Sequence, residues 1–287
     1  MRRRLNLAAV CVLAVLPCTL ARAEGTQFAR VAEDDARQPL ALQLAIASYT
    51  LPGSDVQVDL IGAIHIGDKA YYEDLNGRFR EYDSMLYELI APKDADHSAR
   101  NPDNQSIISS TQIAMKDLLQ LSFQLDEIDY GAANFVHADL SPNELSASMD
   151  ERGESLYVYF WRLFYASFAD YARDPLGLSN MALFSTMLAR DSDDAFKVML
   201  AYELTDLKKH RELFGEDSES AVIGARNQRA IDVLAERLTA GDRRIAIFYG
   251  VAHMPDMEER LVEQLDLEYL DTTWVDAWRL DSRVDIE

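Results

Sequence analysis

Two histidines stand at matching places in this chain, each three residues after a glycine. The first Gly-x-x-His motif joins Gly62 to His65, and the second joins Gly250 to His253. Glycine permits a tight turn, and a histidine close to it can present a ring nitrogen to a metal ion or carry a proton. A turn-and-cap role explains one such motif as well as chemistry does. Two copies in matching positions favour one site that uses both histidines.

The similarity around the two motifs extends further along the chain. Gly62 and Gly250 are 188 residues apart, and the same offset relates Asp68 to Asp256. Each motif follows a β-rich run and precedes a polar helix and a further strand; these elements are predicted at 56–61, 68–82 and 84–90, and at 244–249, 255–265 and 267–274. Strand–helix–strand units of this kind favour parallel crossovers, in which ligands bind at the carboxyl ends of the strands.

The sequence therefore predicts an α/β fold, with a mixed central sheet built from two duplicated strand–helix–strand halves and a helical insertion between them. The halves are assigned to 24–93 and 221–287, and the mainly helical insertion to 94–220. Helical spacing of apolar residues places helices at 107–126, 142–171, 181–190 and 194–213. In the first half, a lead-in at 24–40 is followed by a strand at 41–50, which turns through 51–55 into the first motif strand.

The N-terminus is typical of a secretory signal peptide, with arginines at 2–4, an apolar stretch at 5–20 and a small-residue cleavage site that ends at Ala23. We expect the mature protein to be a single domain, 24–287, in the periplasm or outside the cell. The apolar stretch is too short for a membrane span, and no other segment offers ~20 uncharged apolar residues. No transmembrane span is therefore expected in the mature chain.

Both cysteines, Cys11 and Cys18, lie inside the signal peptide, and Pro17 disfavours a lipoprotein anchored through Cys18. The mature domain then has no disulfide, thiolate metal site or cysteine nucleophile. The formal charge of −21 becomes −25 without the four arginines of the signal peptide. This acidity argues against nucleic acid as a partner, because phosphate binding needs clustered cations. The sequence carries no indication of the oligomeric state.

Glu88 is a candidate site residue because it interrupts an apolar strand. A carboxylate inside a covered strand is costly unless it is paired or bound to a cation. We expect its strand to lie beside the first motif strand, so that Glu88 points into the same crevice as His65. The repeat offset places Asp276 opposite Glu88 in the second half, as an additional candidate.

Arg226 and Asn227 follow Gly224 at the expected start of a helix. A cation is locally unfavourable at a helix N-terminus, so Arg226 needs a compensating partner. An anion in the crevice, such as a substrate carboxylate or a developing oxyanion, is one such partner. The alternative partner is an acidic side chain on the surface, which would form a salt bridge with Arg226.

His137 and Asp139 alternate along a short extended segment and therefore face the same side. Either both contribute to one ligand site, or the carboxylate merely orients its neighbouring histidine. The aromatic stretch at 157–168 is compatible with a helix buried in the core, with the wall of a groove for a peptide or apolar ligand, and with contact to the membrane surface.

The paired Gly-x-x-His motifs, Glu88 after the first, and the Gly224-Ala-Arg-Asn227 segment before the second resemble the TraB/PrgY/GumN family, whose animal relatives are the Tiki metalloproteases. The resemblance covers most of the mature chain. It implies an α/β core with duplicated halves, related to erythromycin-esterase-like and ChaN-like proteins. For the Tiki relatives it also implies a divalent-metal-dependent peptidase, with His65, Glu88 and His253 at the metal-binding positions and Arg226 as a further site residue.

Three functional hypotheses follow, of which the third is a structural exported protein with a degenerate site. The first is an exported metal-dependent hydrolase of peptides, in which His65, His253 and Glu88 bind Mn, Co or Zn, Glu88 also serves as base, and Arg226 steadies the oxyanion. The second is a periplasmic protein that sequesters a peptide, haem or another small molecule without turnover. No His-Glu-x-x-His helix, Gly-x-Ser-x-Gly elbow, phosphate loop or dinucleotide fingerprint is present.

Overall fold

The structure is a computed structural model that describes residues 26–91, 121–154, 192–205 and 220–280. Its strands are β1 (Ala29–Glu33), β2 (Pro39–Thr50), β3 (Gln57–Ala63), β4 (Ile66–Gly67), β5 (Ser84–Tyr87), β6 (Ser122–Phe123), β7 (Phe135–His137), β8 (Arg244–Gly250) and β9 (Glu268–Arg279). Its α-helices are α1 (Lys69–Phe79), α2 (Gln124–Glu127), α3 (Pro142–Glu151), α4 (Ser192–Thr205), α5 (Arg226–Ala240) and α6 (Met254–Leu265). The expected signal peptide, the aromatic helix at 157–168 and the helix at 181–190 lie outside these residues.

Seven of the described strands form one mixed sheet. Its order is β1-β2-β3-β8-β5-β7, and β9 pairs with β2 as well. The strands β3, β8, β5 and β7 run parallel to one another, whereas β1, β3 and β9 are all antiparallel to β2. The predicted α/β fold with a mixed central sheet is confirmed. The predicted hairpin is present too, since β2 turns at 51–56 into β3 with Ile46 opposite Ile61.

Helices cover both faces of the parallel part of the sheet, which explains why its strands are largely apolar. Alternate residues of β8 enter two separate clusters: Phe248 packs with the buried side of α1, and Ile247 packs with α5 and α6. Burial on both faces makes a polar side chain inside these strands costly unless it is paired. Asp59, which is buried inside β3, accepts from Gln57 and Tyr82, and the other polar residues of these strands stand at the strand ends. Among the described helices, none combines the length and apolar character needed to cross a membrane.

The order of the strands differs from the expectation in one respect that matters for the site. The strand that leads to Glu88, β5, was expected to lie beside the first motif strand, β3. That expectation is wrong, because β8 lies between them and pairs with both. The two motif strands are consequently direct neighbours, and Glu88 lies beside the second motif.

Three further segments differ from the sequence-based expectation. The lead-in contains an edge strand, β1. Residues 122 and 123, expected in a helix, pair with Ile66 and Gly67 as β6. The helix that begins after Ser141 has the expected serine cap, completed by Glu144 as a capping box, but it ends at Glu151 rather than near 171. Gly153, with φ of +65°, allows the chain to turn away there.

Candidate functional site

Four adjacent parallel strands each carry a polar residue at or just beyond the carboxyl end. In sheet order these are His65 after β3, His253 after β8, Glu88 after β5 and Asp139 after β7. The carboxyl ends of neighbouring parallel strands meet at one edge, where ligands bind in open α/β sheets. The fold therefore brings residues from distant parts of the chain to one place.

Arg226 joins two of these carboxylates from the start of α5. Its Nε donates to Asp139 Oδ1 at 2.9 Å, and its Nη2 donates to Asp139 Oδ2 and to Glu88 Oε1, both at 2.6 Å. The Arg226 and Asp139 side chains are 7% and 0% exposed, so their pairing is a buried two-bond fork. The expected position of Arg226 at a helix start is wrong, because a π-helical turn at Ala221–Ala225, capped by Ser220, runs directly into α5 and places Arg226 inside a continuous helix. The pair with Asp139 and the bond to Glu88 take up two of the guanidinium nitrogens.

Both oxygens of Glu88 have partners. Oε1 accepts from Arg226 and lies 3.7 Å from His253 Nε2, while Oε2 accepts from the backbone N–H of Gly250 at 2.6 Å. A side chain at position 250 would place its Cβ 3.3 Å from Glu88 Oε2 and 3.7 Å from His253 Cδ2. The glycine of the second motif is therefore needed for the close approach of the carboxylate, rather than for a left-handed turn.

The charges around Glu88 shift its proton equilibrium strongly. Burial by itself would raise the pKa of Glu88, but His253, Arg226, the Gly250 amide and His65 outweigh burial and lower the pKa to about 2. The pKa of His253 is also lowered, chiefly by burial and with Glu88 acting in the opposite direction. Since burial holds His253 neutral near pH 7, the permanent charge of Arg226 and the Gly250 amide are what keep Glu88 ionised there.

His253 is held on its other side by Asn227. The ring Nδ1 lies 2.6 Å from Asn227 Oδ1, and Asn227 Nδ2 donates to the His253 carbonyl at 3.1 Å and to Asp256 Oδ2 at 2.8 Å. Asp256 in turn accepts from Arg260 Nε at 2.6 Å. The tyrosine before the motif, Tyr249, packs edge-on against the imidazole with ring centroids 5.3 Å apart.

The two motifs, alike in sequence, differ in local structure. After Gly62 the chain passes through an exposed His65 into the short strand β4, and α1 begins only at Lys69. After Gly250 it enters a single 3-10 turn that ends at His253, which is buried and leads directly into α6. The matching aspartates differ as well. Asp68 accepts from the Arg279 backbone on an exposed edge, whereas Asp256 is buried beside Asn227.

The remaining candidates lie partly inside the cluster and partly outside it. Asp139 belongs to it, but His137, two residues earlier, places Nε2 2.6 Å from the Leu89 carbonyl and packs against Tyr87. Asp276 lies in exposed β9, where its Oδ1 accepts from Gln43 Nε2 at 2.7 Å. The structure therefore does not bring Asp276 to the site, because β9 pairs with β2 on the side of the sheet away from β5.

One residue of the site, Arg260, was not identified from the sequence. Arg260, four residues after Asp256, forms the outer end of the chain of contacts and bonds through Nη1 to Gln228 Oε1 at 2.5 Å. The spacing of an acid and a base by four residues on a helix is a visible signal, since such side chains are neighbours on one face. Nothing local, however, connects that pair to Asn227 in another helix.

The donor chemistry of the cluster suits a divalent ion. Glu88 and His253 offer a carboxylate oxygen and a neutral imidazole nitrogen, and Glu88, Asp139 and Arg226 together carry an excess of one negative charge. Within 26–91, 121–154, 192–205 and 220–280, no group of three or more His, Cys, Asp or Glu side chains is close enough to hold a metal ion. A bound ion would thus rely on His65, on substrate or on water besides the Glu88–His253 pair.

The close packing of the two motifs leads to a stability prediction. Gly62→Ala should lower the free energy of unfolding by about 1–3 kcal/mol through overpacking, because the new methyl would lie 3.3 Å from Val251 Cγ2. Urea denaturation measures the change. In a Val251→Ala background the same substitution should cost less, since the opposing methyl is gone.

Gly77→Ala is the matched control for that prediction. Gly77 is exposed within α1, and nothing lies within 4 Å of the position of an added Cβ. Replacing a helical glycine of this kind stabilises a protein by about 0.4–1 kcal/mol. An unchanged urea midpoint for Gly62→Ala, or an equal loss with and without the Val251 side chain, would contradict the packing of the motifs.

The chain was compared with protein-family models, with curated proteins and with solved structures, and none of the three comparisons found a match. The function of the site is therefore inferred from its own residues.

Proposed function

We propose that this protein is an exported, divalent-metal-dependent hydrolase, most suited to peptides, and that it is a member of the TraB/PrgY/GumN family. One observation carries the proposal: the buried Glu88 carboxylate and the His253 imidazole converge to 3.7 Å at the carboxyl edge of the parallel strands. A carboxylate facing a neutral imidazole at a ligand-binding edge of the sheet is a common way to hold a catalytic cation.

In this proposal His253, Glu88 and the exposed His65 hold the ion. A divalent metal at such a site polarises a scissile carbonyl and makes a bound water more acidic. Glu88 stays ionised, since its pKa is about 2, and this favours contact with a cation. So low a pKa also makes Glu88 a weak base, so its main role in this proposal is to bind the ion. Imidazole and carboxylate groups suit Mn, Co and Zn alike.

The contacts of Arg226 favour a supporting role for this side chain. Two of its nitrogens already bond to Asp139 and Glu88, and only 7% of the side chain is exposed. In the proposed enzyme Arg226 therefore orients the Glu88 carboxylate and balances its charge. The oxyanion role considered from the sequence is left to its remaining nitrogen, Nη1.

Metal binding by the purified protein tests the proposal most directly. Titration with Mn, Co and Zn separately, followed by calorimetry and elemental analysis, is expected to show one ion per chain. Glu88→Ala and His253→Ala should abolish this binding because each removes one of the two converging ligands. His65→Ala should abolish or weaken it.

The control is Asp276→Asn, which removes a carboxylate that lies away from the cluster and should leave metal binding unchanged. Failure to bind any of the three metals with this stoichiometry would refute a metal-dependent hydrolase. A Soret band on titration with haem, lost in the same histidine variants, would instead favour a binding protein without turnover.

A further inference from the structure

The hydrogen bonds around Asn227 determine which nitrogen of His253 carries the proton. The Asn227 amide is completely buried, as are its partners His253 and Asp256, with 5% exposure or less. Water therefore cannot substitute for any of the three. Each donor in this cluster must find an acceptor among these side chains, because an unpaired buried polar group is costly.

The orientation of the Asn227 amide follows from its two acceptors. Its nitrogen faces the His253 carbonyl at 3.1 Å and Asp256 Oδ2 at 2.8 Å, and neither of these oxygens can donate in return when Asp256 is ionised. The opposite orientation would set the amide oxygen against two other oxygens. The amide nitrogen must therefore face Asp256, which leaves the amide oxygen toward the imidazole.

Arg260 donates to both oxygens of Asp256. Its Nε donates to Asp256 Oδ2 at 2.6 Å and its Nη2 to Oδ1 at 3.3 Å, while Nη1 is held by Gln228 Oε1. An arginine side chain keeps its proton throughout the range in which proteins fold. Asp256 therefore accepts hydrogen bonds from both sides, from Arg260 and from the Asn227 amide nitrogen.

We propose that Asn227, held by Asp256 and Arg260, is a positioning residue that fixes His253 in the Nδ1–H form and keeps the Nε2 lone pair turned toward Glu88. The amide oxygen can only accept, so the ring nitrogen 2.6 Å from it must be the donor. In a neutral imidazole the other nitrogen, Nε2, is then an acceptor, and it lies 3.7 Å from Glu88 Oε1.

This arrangement explains how the site stays open to a cation. Two electron-pair donors, Nε2 and Glu88 Oε1, face one another and can bind one ion jointly or share a proton. The opposite tautomer would turn an N–H toward Glu88, and a hydrogen bond between the two would close the pair. The catalytic consequence rests on the proposed function, whereas the position of the proton does not.

Nitrogen NMR of the histidine rings tests the inference without any metal. The full-length protein is labelled with 15N-histidine and studied metal-free at pH 8, and the His253 signals are assigned by their loss in His253→Gln. The expected spectrum shows a protonated Nδ1 and an unprotonated Nε2. In Asn227→Leu, which keeps the size of the side chain but accepts no hydrogen bond, this pattern should be lost or mixed with the other tautomer.

An exchange variant provides the rescue. Asn227→Asp combined with Asp256→Asn swaps the two side chains, so that a carboxylate accepts from Nδ1–H and an amide at 256 donates to that carboxylate. One carboxylate oxygen then faces the His253 carbonyl in place of the Asn227 nitrogen, which should lower stability but leaves an acceptor on Nδ1. The Nδ1–H pattern should return. Metal binding, about 10–100-fold weaker in Asn227→Leu as for other partners of ligating histidines, should recover in the exchange variant.

The possible outcomes separate this inference from the proposed function. A proton on Nε2 in the unaltered protein would overturn the inference, and so would an unchanged Nδ1–H pattern in Asn227→Leu. If Asn227→Leu does not fold, the unaltered protein and the exchange variant still decide the question. A protein with the expected tautomer that binds no metal would contradict the hydrolase proposal and leave the role of Asn227 intact.

Discussion

Replacing Arg226 with methionine is expected to lower the free energy of unfolding by about 3–5 kcal/mol, the largest stability effect we predict. The substitution keeps most of the side-chain volume but leaves Asp139, which is completely buried, without its cation. Glu88 loses the same partner and retains the Gly250 amide. Removing one member of a buried charged cluster is costly because the other charges stay behind without compensation. The measurement is the urea midpoint, with the slope of the transition as a check on cooperativity.

Two further variants show whether the lower free energy of unfolding comes from the unpaired charge of Asp139 or from lost packing. Arg226→Lys keeps the charge but not the two-bond fork to Asp139, so its effect should lie between those of the unaltered protein and Arg226→Met. Adding Asp139→Leu to Arg226→Met removes the stranded carboxylate, and the double variant should be more stable than the sum of the single effects allows. Strictly additive losses would show that Arg226 and Asp139 do not act as a pair.

The difference in the free energy of unfolding between the unaltered protein and Arg226→Met should depend on pH. The pKa of Glu88 is about 2 in the folded protein against an ordinary value of 4.5, so the folded state resists protonation while the unfolded state takes up a proton. The stability from this group is complete above about pH 5 and is lost as the pH falls toward 2. Arg226→Met raises the folded pKa, so the stability difference between the two proteins should narrow over this range.

Glu88→Gln is expected to reduce metal-stimulated peptide hydrolysis by at least about 10³-fold, or roughly 4 kcal/mol in the barrier. The amide has nearly the same shape, but it neither carries the charge that attracts a cation nor accepts a proton. Cleavage of a peptide library, followed by mass spectrometry with and without added metal, measures the loss. Circular dichroism establishes that the variant is folded.

A control variant shows whether the loss of hydrolysis is specific to Glu88 or follows from removing any acidic side chain. Asp276→Asn removes one negative charge on the exposed strand β9 and should leave hydrolysis unchanged, although the repeat offset pairs it with Glu88. Cleavage that persists in Glu88→Gln, or that needs no metal, would rule out the proposed roles. Peptide binding without any cleavage by the unaltered protein would favour sequestration instead.

Much of the fold follows from local patterns. The runs that became β3, β5 and β8 are mainly apolar and rich in β-forming residues, as in a covered sheet, and apart from the buried Asp59 of β3 their polar residues stand at strand ends. Glu88 was identifiable because a carboxylate in such a run needs a partner. Asp276 was suggested by the offset alone, without a physical requirement, and it lies on the exposed edge.

The sequence by itself determined the types and positions of the reactive groups: two histidines after glycines at strand ends, an acid in an apolar strand, and Arg226 and Asn227 in the segment before the second motif strand. Only the tertiary structure decided their partners. It inserted β8 between β3 and β5, which set Glu88 beside Gly250, and it paired Arg226 with Asp139 across 87 residues. It also made His253 buried and His65 exposed. Periodicity reports which side of an element is covered, whereas strand order and side-chain pairing depend on contacts between distant segments, on which local spacing has no bearing.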